Sequence, residues 1–150
     1  MAKTILLIAC VSKKGNTPAK AKDLYISQLF KSSWLYGKGL KPDKIFILSA
    51  LYGLLDPEQI IEPYNVTLSN VQTKKRSADL KVLSKNEKIA WGVLVLEQLS
   101  QETDLTSDHF IVLAGKEYIK PIQPGINHLS NPLEGLGLGK RVQFLNDNSL

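Results

Sequence analysis

Three stretches of this chain are apolar without polar alternation. Residues 4–11 read T-I-L-L-I-A-C-V, residues 44–50 contain the run I-F-I-L, and residues 109–114 read H-F-I-V-L-A. Unbroken runs of this length between turn residues suit strands buried on both faces, as in a parallel sheet. Between them the period changes. Thr17 and Pro18 read as an N-cap and a first helical residue. Apolar positions at Ala21, Leu24, Tyr25, Leu29, Phe30 and Trp34 then predict a helix from 18 to about 36, ended by Gly37 and Gly39. A second long helix is predicted from 86 to about 102, with Ile89, Trp91, Val93, Leu94, Leu96 and Leu99 covering the sheet. Gly92 inside it predicts close packing. A short helix opens at Gly115-Lys116-Glu117-Tyr118 and is cut at Pro121 and Pro124; a last one spans about 140–146.

This order of strands and helices predicts an α/β fold with a mostly parallel central sheet and helices on its faces, in one domain. The stretch 45–68 stands out within it. It begins as a buried strand, turns at Tyr52-Gly53, and continues as a long loop carrying Pro57 and Pro63. A long loop is costly to order, and a compact domain seldom carries one without a use. It reads as the wall of a site.

In open α/β sheets, ligands bind outside the carboxyl ends of the strands. The first strand end carries Ser12, Lys13, Lys14 and Gly15. The second carries Tyr52 and Gly53, followed by Glu62, Pro63 and Tyr64. The third carries Gly115, Lys116, Glu117 and Tyr118. Parallel strands put all three on one edge, where they can converge. The Ser12-Lys13-Lys14-Gly15 turn before a helix resembles an anion cradle, with backbone N–H groups and two ammonium groups, but it lacks the P-loop spacing. A solvated turn is the other reading. The Leu136-Gly137-Leu138-Gly139-Lys140-Arg141 segment is a second anion candidate, and tight packing of that turn is an equal alternative. Glu62, Tyr64 and Tyr52 could act as acid/base groups or hold a flat ring, or Pro63-Tyr64 could pin the loop to the body. Glu134 could be catalytic or could cap a chain end. His109 begins a strand and reads as structural; His128 reads as a loop residue that could join the site.

Composition narrows these readings. The 150 residues are 43% hydrophobic and 22% charged, as in an ordinary globular protein. No apolar run approaches the roughly 20 residues a membrane helix needs. The apolar N-terminal run is followed at once by Ser12-Lys13-Lys14, without a cleavage site, so a buried first strand is expected rather than a leader. One cysteine, Cys10, precludes an internal disulfide, and two histidines disfavour a metal site; neither metal nor cofactor is expected. Cys10 reads as a small core residue, and a cytoplasmic setting fits. The net charge of +5 permits attraction to polyanions such as nucleic acid.

The run L-S-A-L-Y-G-L-L-D-P-E-Q-I-I-E-P-Y-N-V-T-L resembles the signature of the YaaA (peroxide stress) family. The whole chain more closely resembles an uncharacterised domain family of bacteria and their phages. The carrying segments are the Lys13-Lys14 turn, P-A-x-A-x-x-L-Y-x-S-x-L-F at 18–30, L-S-A-x-Y-G-L-L-x-P, E-P-Y, A-G-x-x-Y at 114–118 and P-L-E-G-L-G-x-G at 132–139. More distantly, the chain is similar to the uracil-DNA-glycosylase-like domain of archaeosine synthase-type tRNA-modifying enzymes. These resemblances imply a three-layer α/β/α domain in a nucleobase or nucleic-acid setting. They carry weight at Ser12, Lys13, Tyr25, Ser27, Ser49, Tyr52, Gly53, Glu62, Tyr64, Gly115, Tyr118, Glu134, Gly135 and Gly139. The expectation is an enzyme acting on a nucleobase or nucleotide, free or in nucleic acid. Glu62, Glu134 and Lys13 would be its catalytic candidates, and Ser12, Lys14, Tyr25, Ser27, Tyr52, Gly53, Tyr64, Gly115, Tyr118, Gly135 and Gly139 would line the ligand. The alternatives are a non-catalytic nucleic-acid-binding module, in which Lys74-Lys75-Arg76 dominates, or an accessory protein of a phage or mobile element.

Overall fold

The computed structural model describes residues 2–9, 14–71, 74 and 79–149. Its centre is a five-stranded sheet in the order β4-β3-β1-β8-β9. β1 (Thr4–Ala9), β3 (Lys44–Ser49), β8 (His109–Leu113) and β9 (His128–Ser130) run parallel, and β4 (Gly53–Leu55) closes one edge antiparallel to β3. The register pairs Ile5 with Lys44 on one side and with Phe110 on the other, so β1 is the buried middle of the sheet.

Successive side chains of a strand point to opposite faces, and here both faces are covered. Ile5 and Leu7 join Phe46, Leu48, Trp91, Val95, Leu99 and Tyr118 in a core beneath α3 (Lys85–Glu102) and α4 (Lys116–Ile119). Leu6 and Ile8 join Leu24, Tyr25, Phe30, Ile47 and Leu145 beneath α1 (Ala21–Leu24), α2 (Gln28–Gly39) and α5 (Leu138–Asp147). This is the expected α/β fold, with a mostly parallel sheet between helices.

Several elements depart from expectation. The helix predicted from 18 to 36 is two helices. Ala19–Lys20 forms a strand, β2, paired antiparallel with β5 (Ile60–Ile61), and Tyr25 is extended (φ −84°, ψ 119°). Backbone pairing with the long loop outweighs the Thr17-Pro18 start. The second helix then begins afresh at Ser27, whose hydroxyl accepts the Phe30 N–H at 3.2 Å as an N-cap. In α3 the buried residues are Trp91, Gly92, Val95 and Leu99, whereas Ile89 and Val93 are 57% and 61% exposed. The face carrying the aromatic ring, rather than the longest apolar run, is the one that packs. The close approach expected at Gly92 is present, because a Cβ there would collide with the Pro121 carbonyl. His128 lies on β9 rather than in a loop. It stands in register with His109, their rings 5.2 Å apart, at the amino end of the sheet and away from the predicted site.

The long loop is partly regular. Besides β4 and β5 it contains β6 (Val66–Thr67), which pairs in parallel with β7 (Lys81–Val82). It is tied to the first helix by Ala21 N–H to Gln59 carbonyl (2.8 Å) and Lys22 N–H to Pro57 carbonyl (3.0 Å). Among the described residues, no helix is long and apolar enough to cross a membrane.

Candidate functional site

The carboxyl edge of the sheet has two halves. Beside β1 and β3 stands a group of tyrosines. The Ser49 hydroxyl at the end of β3 accepts the Leu51 and Tyr52 N–H groups at 3.3 and 3.0 Å, which fixes the turn that presents Tyr52. Gly53 follows at φ +79°, a backbone conformation L side chains rarely adopt. A Cβ there would also come within 2.5 Å of Gln98 Oε1, which accepts the Leu54 N–H. The role of Gly53 in this turn is therefore geometric.

Tyr52 and Tyr64 meet in a T-shape, with ring centroids 5.6 Å apart and planes at 87°. The Tyr64 and Tyr25 hydroxyls are 2.5 Å apart. Lys14 forms an isolated bridge with Tyr25, and its ammonium stands 4.4 Å from the Tyr64 ring centre and 5.8 Å from that of Tyr25. This cation–π contact places a positive charge against a phenol surface that is half-buried at Tyr52 and Tyr64. Tyr25 itself is buried against Phe30.

The other half lies beside β8 and β9. A cavity of about 530 Å³ opens among α4, the end of β9 and the start of α5. Lys116, Lys120, Arg141, Asn131 and Glu134 supply its polar wall; Ile119, Leu129, Leu133 and Leu136 supply its apolar floor. Arg141 Nε donates to the Leu136 carbonyl at 2.9 Å, which orients the guanidinium. A Cβ added to Gly115 would lie 3.5 Å from Arg141 Nη1, so the guanidinium sits close over the bare backbone at the exit of β8. Gly135, at φ +79°, makes the turn that brings Glu134 to the cavity wall.

The structure thus gathers Lys14, Tyr25, Tyr52 and Tyr64 on one side and Gly115, Glu134 and Gly135 around the other. Ser12 and Lys13 lie outside the described residues, as does Cys10. Glu62 is exposed on the loop just after β5 and is not among the cavity residues. Gly139 is exposed in the first turn of α5 with nothing near its Cβ direction. Ser27 serves as the N-cap described above. Tyr118 turns the opposite way: it is buried edge-on to Trp91 at 5.7 Å, with its hydroxyl 3.3 Å from Thr67 Oγ1 and accepting the Leu68 N–H at 3.4 Å. Glu117 leaves the edge as well. It pairs with Lys88 at 2.8 Å, and that hydrogen bond holds its carboxyl below the usual range.

Arg141 was weighed in the sequence only within its glycine turn, and Lys120 was not singled out. Both become cavity residues because the three-residue strand β9, too short to read from pattern, brings Leu129 and Asn131 up against α4 and α5. Among the described residues, no group of three or more His, Cys, Asp or Glu could hold a metal ion.

A family profile described as a family of unknown function (DUF6884) matches residues 5–147, nearly the whole chain and both halves of this edge. The chain belongs to that family. This DUF6884 member is also similar to a UPF0246 protein of Shewanella pealeana (strain ATCC 700345 / ANG-SQ1). The two are 33% identical over 79 residues, which is 52% of this chain and 28% of that longer protein. UPF0246 is the YaaA family, so the YaaA-like character expected from the tyrosine-containing run stands as a distant relationship.

Proposed function

We propose that this DUF6884 member binds a nucleobase or nucleotide, free or within nucleic acid, at the carboxyl edge of its sheet and acts on it as an enzyme. The observation that carries this reading is the Lys14–Tyr64–Tyr52 arrangement, a pair of half-buried aromatic rings with an ammonium against one of them. Flat bases stack on such rings, and a nearby cation suits their carbonyl oxygens or an attached phosphate. Glu134 and Glu62 are both exposed, but Glu134 alone of the two stands on the cavity wall, where it can move a proton. The sequence resemblance to uracil-DNA-glycosylase-like domains implies base modification or glycosidic-bond chemistry as the expectation to test.

The test is a binding and turnover screen with nucleobases, nucleosides, nucleotides and short oligonucleotides. Tyr64→Ala should weaken binding about 10- to 100-fold, the scale of one lost base–aromatic stack. Glu134→Gln should retain binding and lower turnover about 10²- to 10⁴-fold. A chain that binds none of these compounds, or a Glu134→Gln variant with unchanged turnover, overturns the enzymatic reading. The net charge of +5 favours a second reading, a non-catalytic nucleic-acid-binding module. Its mark is an oligonucleotide affinity that falls steeply with salt and no turnover.

A further inference from the structure

We infer that the cavity among α4, the end of β9 and the start of α5 is a binding site for a phosphomonoester, with Arg141 as its anchor. Charge is the first reason. Lys20, Lys22, Lys44, Lys81 and Lys88 each lie within 4 Å of a carboxylate. Lys116, Lys120 and Arg141, like several surface lysines, have no such ion pair among the described residues, and these three are gathered on one concavity. Cations gathered in a cleft with low-dielectric walls repel each other and focus a positive potential that an anion relieves. Glu134 is the one carboxylate on the wall, and Glu117, which feels both lysines, is already paired with Lys88, so three cations face one wall carboxylate.

Geometry is the second reason. The Arg141 Nε–H is already committed to the Leu136 carbonyl, so the guanidinium is oriented before any ligand arrives. Its Nη groups stand over Gly115, where the absence of a side chain leaves the approach open. A planar fork of donors held in this way suits the oxygens of a phosphate. Lys116 and Lys120 are four residues apart on α4, hence on one face. Arg141 lies in the first turn of α5, whose Gly137 N-cap has no side chain to satisfy the leading N–H groups, so the helix end adds partial positive charge at the same place.

Size and floor decide the class of anion. About 530 Å³ is far more than a bare phosphate fills, and Ile119, Leu129, Leu133 and Leu136 offer an apolar surface for an organic body. Glu134 and Asn131 can accept hydrogen bonds from hydroxyl groups on that body. The ligand is therefore a phosphate joined to a hydroxylated carbon skeleton. This deepens the nucleotide reading by giving the phosphate its place, but it stands on the cavity alone.

Calorimetric titration of the full chain with adenosine 5′-monophosphate, adenosine and inorganic phosphate, at fixed ionic strength, tests it. The monophosphate should bind more tightly than either inorganic phosphate or adenosine. Arg141→Gln and Lys116→Gln should each weaken it about 10- to 100-fold, the scale of a lost charge-assisted hydrogen bond. Lys116→Gln changes an exposed lysine and guards against Arg141→Gln simply failing to fold, which a melting curve would reveal. Titrating inorganic phosphate alone into wild type and Arg141→Gln reads the cavity without a base, so a failed base site and a failed phosphate site are told apart. Equal affinity for adenosine and its monophosphate, or monophosphate binding that both charge variants leave unchanged, overturns the inference.

Discussion

Two aromatic groups sit on opposite faces of the sheet, and their tyrosines are used in different ways. On the α3 side Tyr118 is buried edge-on to Trp91, and its hydroxyl is engaged by Thr67 and the Leu68 N–H. Trp91 in turn donates its indole N–H to the Ser49 carbonyl at 2.8 Å. Every polar atom there is answered by the chain, so the group fastens the exit of β3 and the loop at β6 to the helix layer. On the α1–α2 side Tyr25 and Tyr64 share a hydroxyl contact, and Tyr64 and Tyr52 remain half-buried beside the Lys14 ammonium. The same residue type at neighbouring strand ends therefore closes a core in one case and dresses an edge in the other. Burial of the ring and the identity of its hydroxyl partner separate the two.

That contrast can be broken most forcefully at Trp91. Trp91→Ala should cost about 3–5 kcal/mol, the range for emptying a buried indole site. Denaturant unfolding would read the loss, while the fraction still folded should bind at the tyrosine edge as before. A variant equally stable to wild type would mean that the group is not a fastening.

A smaller effect is expected at the Lys88–Glu117 pair, whose side chains are 15% and 18% exposed. Lys88→Met should cost about 1–3 kcal/mol, less than the 3–5 kcal/mol for breaking a fully buried pair. The Glu117 carboxyl is held below its ordinary value of 4.5, chiefly by the hydrogen bond from Lys88. A depressed folded-state value stabilises the fold above pH 4.5, and the contribution is lost as pH falls through that value and below. Wild-type stability should therefore fall over this acid range more steeply than that of Lys88→Met. Parallel curves would remove the pair from the account.

The finest comparison is between two single hydroxyls. Tyr118→Phe should cost about 1 kcal/mol, the net worth of one hydrogen bond, and leave ligand affinity alone. Tyr64→Phe should keep the stacking ring and shift affinity less than Tyr64→Ala does. Matching affinity losses in Tyr118→Phe and Tyr64→Phe would erase the distinction between the two groups.

Much of the framework was legible in the sequence because it rests on long uniform patterns. The apolar runs of β1, β3 and β8 and the extents of α3 and α5 needed nothing beyond burial and periodicity. Short elements were not legible, because their causes lie elsewhere in the chain. Ala19 and Lys20 leave the helix pattern only because Ile60 and Ile61 offer a ladder. His128 and its two neighbours form a strand only because β8 presents an edge. Within α3, Ile89 and Val93 belong to the apolar pattern as much as Trp91 does, and the choice of inward face was set by Gly92 against Pro121. The site followed the same division. The convergence of strand ends led to one edge, on which Tyr52, Tyr64 and Lys14 meet while Glu62 stands exposed on the loop. It could not separate Tyr118 and Glu117 from Gly115 and Lys116, since adjacent residues of one helical turn leave in different directions.

The placement of β1 also bears on how the chain is made. Its first partner, β3, follows soon after it, but Thr4 pairs with His109 on the other side, and the Lys3 N–H reaches Asp108 across 105 residues. At about 5–20 residues per second, a ribosome would leave that side of β1 unmatched for about 5–20 s. The nascent chain then carries an apolar strand with an open edge, the form most prone to pairing with a neighbour. Arg141 and the α4 lysines emerge later than that missing strand, so the cation-lined cavity is the last part of the edge to be synthesised.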